Sequence, residues 1–174
     1  MAEPIIRLVG EIDEEHVSEV IEKLGRLSHN SDSVAILIDS DGGSIEEGFR
    51  LIDAIRIIQS KNVHVKATVT GRAYSMAAFI LCAADERTAY PSARIMTHCA
   101  RYDGLSENET YTATELKVLY REMEDSDRMM RSVLLSAGVS SENADILLTK
   151  TDTYFNVAQA IHLGIIHKEE SELI

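Results

Sequence analysis

The sequence has no tryptophan, only two prolines and two cysteines, and just 5% aromatic residues. Cys82 lies in an apolar helix-like run and Cys99 beside a histidine, a spacing that fits neither a disulfide framework nor a zinc site. Both read as reduced thiols, and no metal is expected. No stretch of about 18 apolar residues is free of charge, which excludes a membrane-spanning helix. Basic residues are also scarce, 17 Lys and Arg against 29 Asp and Glu, for a net charge of -12. That balance argues against a phosphate-backbone binder and reads as a source of solubility. The start, Met1-Ala2-Glu3-Pro4, lacks the basic and apolar regions of a signal peptide, so a cytoplasmic location is expected. Neither a Walker lysine loop nor a three-glycine dinucleotide fingerprint occurs, and no cofactor is expected.

The 174 residues, 45% of them hydrophobic, suffice for one core, and a single domain over residues 1–174 is expected. Ile5 to Val9 reads as a strand, and Asp13 then caps a helix with Val17, Val20, Ile21, Leu24 and Leu27 at helical spacing. Val34 to Ile38 is continuously apolar, which suits a strand buried on both faces. Asp39 to Gly43 follows as a turn, then a helix marked by Phe49, Ile52 and Ile55, then a strand over Val63 to Val69. A second turn is expected at Gly71 to Tyr74, and a buried helix from Ser75 to Ala84. Short strands at Arg87 to Tyr90 and Arg94 to His98 precede a long helix from about Asn108 to Ser136, closed by Gly138. Alternating strands and helices predict an α/β fold around a mostly parallel sheet.

Three polar residues stand out against this frame. Ser75 opens a buried helix, where free backbone N–H groups can hold an oxyanion; it is equally placed to be an ordinary helix cap. His98 ends an apolar strand, where an imidazole can be half buried and still reach a cleft. The other histidines (His16, His29, His64, His162 and His167) read as solvated or structural. Asp152, ahead of the apolar pair Tyr154-Phe155, is a candidate to orient the imidazole, whereas Asp103, Asp125, Asp127 and Asp145 read as solvated.

Four segments, in order, resemble the proteolytic subunit of the Clp protease family. Ser40-Asp-Gly-Gly43-Ser followed by Gly48 is similar to its glycine turn, and Gly71-Arg-Ala-Tyr-Ser75-Met-Ala-Ala-Phe-Ile-Leu to its nucleophile segment. Pro91-Ser-Ala-Arg-Ile-Met-Thr-His98 resembles its histidine segment, and Thr151-Asp152-Thr-Tyr-Phe-Asn with Ala160-Ile-His-Leu-Gly164-Ile-Ile its aspartate segment. The resemblance implies a ClpP/crotonase-like spiral of strand-strand-helix units with a projecting handle helix. It also implies a serine endopeptidase with Ser75 as nucleophile, His98 as base and Asp152 as its orienting carboxylate, and with Gly43 and Met76 N–H groups as oxyanion hole. Implied partners are further copies of the chain in heptameric rings stacked in pairs, an AAA+ ATPase unfoldase, and peptide or unfolded-protein substrates. An acyl-CoA enzyme of the crotonase type and a non-catalytic subunit of a mixed ring are the alternatives. Departures are Asp41 for a usual proline, Tyr74 at a usually small site, and Cys99-Ala100 for Gln-Pro. The Gly-Gly after the histidine is missing as well, so substrate docking and ring stacking are expected to differ.

Overall fold

The computed structural model describes residues 3–27, 32–102, 104 and 110–171. Its strands are β1 (Ile5–Ile12), β2 (Ser33–Gly43), β3 (His64–Tyr74), β4 (Glu86–Ala89), β5 (Arg94–Thr97), β6 (Thr153–Phe155) and β7 (Lys168–Glu169). The helices are α1 (Glu14–Leu27), α2 (Ile45–Gln59), α3 (Met76–Cys82), α4 (Ala113–Ser136), α5 (Ser141–Leu147) and α6 (Val157–His162). This is an α/β fold. The sheet runs β1-β2-β3-β4-β7, with β5 paired to β3 and β6 to β5. All these pairings are parallel except that of β5 with β6.

The amphipathic stripes of the first two helices land on this sheet as their spacing predicts. Asp13 caps α1 by accepting the His16 N–H at 2.8 Å. Helix α1 buries Val17, Val20 and Leu24, while α2 buries Leu51, Ile52, Ile55 and Ile58. Val34 to Ile38 is buried throughout, as a strand covered on both faces must be. All of α3 is buried.

Two expected turns are strand instead. Asp39 to Gly43 continues β2, because Glu11 and Ile12 of β1 pair with Gly42 and Gly43 after a register shift. Likewise Gly71 to Tyr74 continues β3, since Arg72, Ala73 and Tyr74 pair with Arg94, Ile95 and Met96. In both, neighbouring strands satisfy backbone groups that local composition would have left to a turn. Strand β3 thereby holds two partners on one edge, β4 along Lys66–Val69 and β5 along Arg72–Tyr74.

Helix α4 begins at Ala113 behind a capping box of Thr112 and Glu115; the expected start at Asn108 lies outside the described residues. It ends as expected at Gly138, with φ +86, where Val139 N–H donates to Leu134 O and Gly138 N–H to Leu135 O. Its last turns reach the core through Met130, Val133 and Leu134, and Met123 packs partly buried against it. Leu116 is 45% exposed, so the first turns of α4 stand away from this chain's core. No helix of the described residues is long and apolar enough to cross a membrane.

Candidate active site

Strand β3 ends at Tyr74 and α3 starts at Met76, so one residue turns the chain from extended to helical. That residue is Ser75, at φ +51 and ψ -125, a conformation that non-glycine residues rarely adopt. Its backbone is tied on both sides, the N–H donating to Met96 O at 2.8 Å and the C=O accepting from Ala78 N–H at 3.0 Å. Its hydroxyl makes no capping bond, so the ordinary helix-cap alternative fails and the side chain is free for other work. The Met76 N–H likewise has no hydrogen-bond partner among the described residues.

Gly42 and Gly43 lie against this turn. A Cβ on Gly42 would sit 2.7 Å from both Ser75 Cβ and Tyr74 O, and 3.2 Å from Met76 N. Gly42, at φ +94, is therefore required by conformation and by space. Gly43 passes as closely over Ile12, whose carbonyl would be 2.5 Å from an added Cβ. Ser44 then caps α2, its Oγ accepting the Glu47 N–H.

Strand register brings His98 and Asp152 to the same place. Tyr74 pairs with Met96, Met96 with Tyr154, and Thr97 with Thr153. His98 and Asp152 are the residues immediately beyond that last pair, at the adjoining ends of β5 and β6. Tyr74 and Tyr154 pack edge to face across this junction, ring centroids 5.6 Å apart.

No hydrogen bond joins Ser75 to His98, or His98 to Asp152, among the described residues. His98 Nδ1 lies 2.6 Å from the Cys99 carbonyl. A carbonyl only accepts, so Nδ1 carries the hydrogen and the neutral ring keeps its lone pair on Nε2. Asp152 instead accepts from the Arg101 guanidinium, which also reaches Lys150 O at 3.4 Å. Sequence reasoning missed Arg101, which belongs to no motif and is placed here only by the path of the chain after His98. It also misread Asp127, which is not solvated but accepts the Ala100 N–H at 2.6 Å and so pins that same path. Burial first, then the Asp127 carboxylate, pushes the Cys99 thiol up, keeping it protonated beside His98.

An open cleft of about 770 Å³ runs from Gly43 and Ser44 to α4, floored by Phe49 and Met123 and bordered by Arg101 and Tyr102. It reaches the glycine segment at Gly43 and Ser44 and the chain after His98 at Ala100 and Arg101. Among the described residues no group of His, Cys, Asp and Glu could hold a metal ion.

The sequence pattern of the Clp protease family matches residues 1–169. Among similar proteins, the ATP-dependent Clp protease proteolytic subunit 1 of Protochlamydia amoebophila is 30% identical, over 90% of this chain and 75% of its own. The corresponding subunit 1 of Chlamydia muridarum is 31% identical over 89% of this chain and 80% of its own. The ATP-dependent Clp protease proteolytic subunit of Carsonella ruddii is 29% identical over 95% and 83% respectively.

Proposed function

The chain belongs to the Clp protease family, and on that footing we propose that it is a serine endopeptidase acting through Ser75, His98 and Asp152. Ser75 Oγ attacks the peptide carbonyl while His98 Nε2 takes its proton. His98 then returns that proton to the leaving amine, and water repeats the cycle on the acyl-enzyme. Asp152 accepts from His98 Nδ1 and stabilises the imidazolium formed on the way. The N–H groups of Met76 and Gly43 receive the oxyanion, each such donor contributing on the order of 3 kcal/mol. A single domain spanning residues 1–174, closed into heptameric rings in the cytoplasm and served by an ATPase unfoldase, completes the reading.

The observation that carries it is the Ser75 turn. A non-glycine residue at φ +51, its hydroxyl withheld from the helix cap and its neighbouring amide unpaired, is backbone strain spent on presenting a side chain. The test is labelling with a fluorophosphonate, which reacts only with an activated serine. Wild type should label and Ser75→Ala should not. Labelling that survives in Ser75→Ala, or an assembled wild type that never labels, refutes the proposal.

A further inference from the structure

Arg101 and the Cys99 carbonyl occupy the two groups that the proposed mechanism needs joined to each other. His98 Nδ1–H is spent on a neutral carbonyl, and Asp152 is spent on a cation from the loop that follows His98. The carbonyl already selects the useful tautomer, leaving Nε2 free to accept a proton. What it does not provide is a negative charge to stabilise the imidazolium once that proton arrives. A charge-assisted hydrogen bond is about twice as strong as a neutral one. The difference corresponds to about a tenfold change in rate.

From this arrangement, and resting on the peptidase reading above, the geometry points to Arg101 as a positioning residue that withholds Asp152 from His98 and so sets how active Ser75 is. His98 and Asp152 each stand one step beyond the paired Thr97 and Thr153, at the adjoining ends of β5 and β6. The exchange asks the imidazole to rotate off the Cys99 carbonyl and the guanidinium to rotate off Asp152. The guanidinium has somewhere to go, because the cleft it borders also carries the Glu11, Glu46 and Glu122 carboxylates. Both Arg101 and Asp152 are partly exposed, at 41% and 37% of side-chain area, so their pairing is weak enough to be exchanged. One more group is unspent in the present arrangement: Thr97 Oγ1, buried, in the residue next to His98, has no hydrogen-bond partner among the described residues.

The test compares second-order labelling rates of full-length protein with a fluorophosphonate. Arg101→Met, which keeps the aliphatic stem and removes the cation, should label Ser75 about tenfold faster than wild type. Arg101→Lys keeps a cation that can hold Asp152 and should stay near the wild-type rate. Asp152→Asn should abolish the gain, so that Asp152→Asn and the Arg101→Met, Asp152→Asn double variant label alike; a merely structural role for Arg101 would not produce that cancellation. Arg101→Gln serves as a second uncharged variant if Arg101→Met is poorly folded. An Arg101→Met or Arg101→Gln protein that is folded yet labels no faster, while wild type labels and Ser75→Ala does not, overturns the inference and leaves the peptidase reading intact. A gain that persists with Asp152→Asn overturns it too. If no folded variant labels at all, the peptidase reading fails and takes the inference with it.

Discussion

At the scale of single residues, the site depends on what is missing at Gly42 as much as on what is present at Ser75. An added methyl there would meet Ser75 Cβ and the Tyr74 carbonyl at 2.7 Å, on a backbone already at φ +94. Gly42→Ala is expected to lower stability by about 1–3 kcal/mol and to remove most Ser75 labelling. Gly25, in α1, is the control: nothing lies within 4 Å of its added Cβ. Gly25→Ala should raise the unfolding free energy by about 0.5–1 kcal/mol in denaturant titrations, with labelling unchanged. A different residue senses acid. Burial holds the His167 imidazole below its ordinary value of 6.5, and its Nδ1 accepts the Arg87 N–H at 3.2 Å, which requires that nitrogen to be unprotonated. Because the folded value is the lower, the unfolded chain binds the proton first. Stability is full above 6.5 and declines as pH falls below it. The melting temperature of wild type should therefore drop more than that of His167→Gln between about pH 7.5 and pH 5.5.

At the scale of elements, α4 is built to be stiff and is anchored at one end. Thr112→Ala removes one half of its capping box and should cost about 1 kcal/mol, seen as faster hydrogen exchange in the first turns. Leu134→Ala empties a buried position and should cost about 2–5 kcal/mol of global stability. Helices of this kind were legible in the sequence because apolar spacing and caps are local signals: Asp13, Val17, Leu24 and Gly138 all act as their positions suggest. Strand ends were not, because β2 and β3 are lengthened by pairing with residues far away in the chain. Asp39 to Gly43 has turn composition and strand conformation for that reason. The candidate site was legible by type and segment, Ser75 at the helix start and His98 at the strand end. The Arg101 pairing with Asp152 was not, since no spacing rule links residues whose meeting depends on where a loop returns. Nor could composition tell whether the Ser75 hydroxyl makes a capping bond; in the structure it makes none.

At the scale of the whole molecule, the net charge of -12 makes copies repel one another, while α4 exposes large apolar side chains on two faces. Leu116, Val118, Tyr120 and Met129 are 45%, 47%, 57% and 50% exposed, more large apolar area than one helix usually leaves to water. Packing against neighbouring copies, as in the ring proposed above, is expected to cover them. Native mass spectrometry should give a multiple of seven subunits, and Val118→Glu should shift the population to smaller species. The same helix forms one wall of the cleft through Leu119, Met123 and Met129, while Gly43, Ser44 and Phe49 form the other. Rooted at Met130, Val133 and Leu134 and braced by Met123 and Asp127, α4 is a cantilever whose first turns stand clear of this chain's core. If the chain closes into the proposed ring, the neighbours that hold that end set the gap between the two jaws and so how wide a chain the cleft admits.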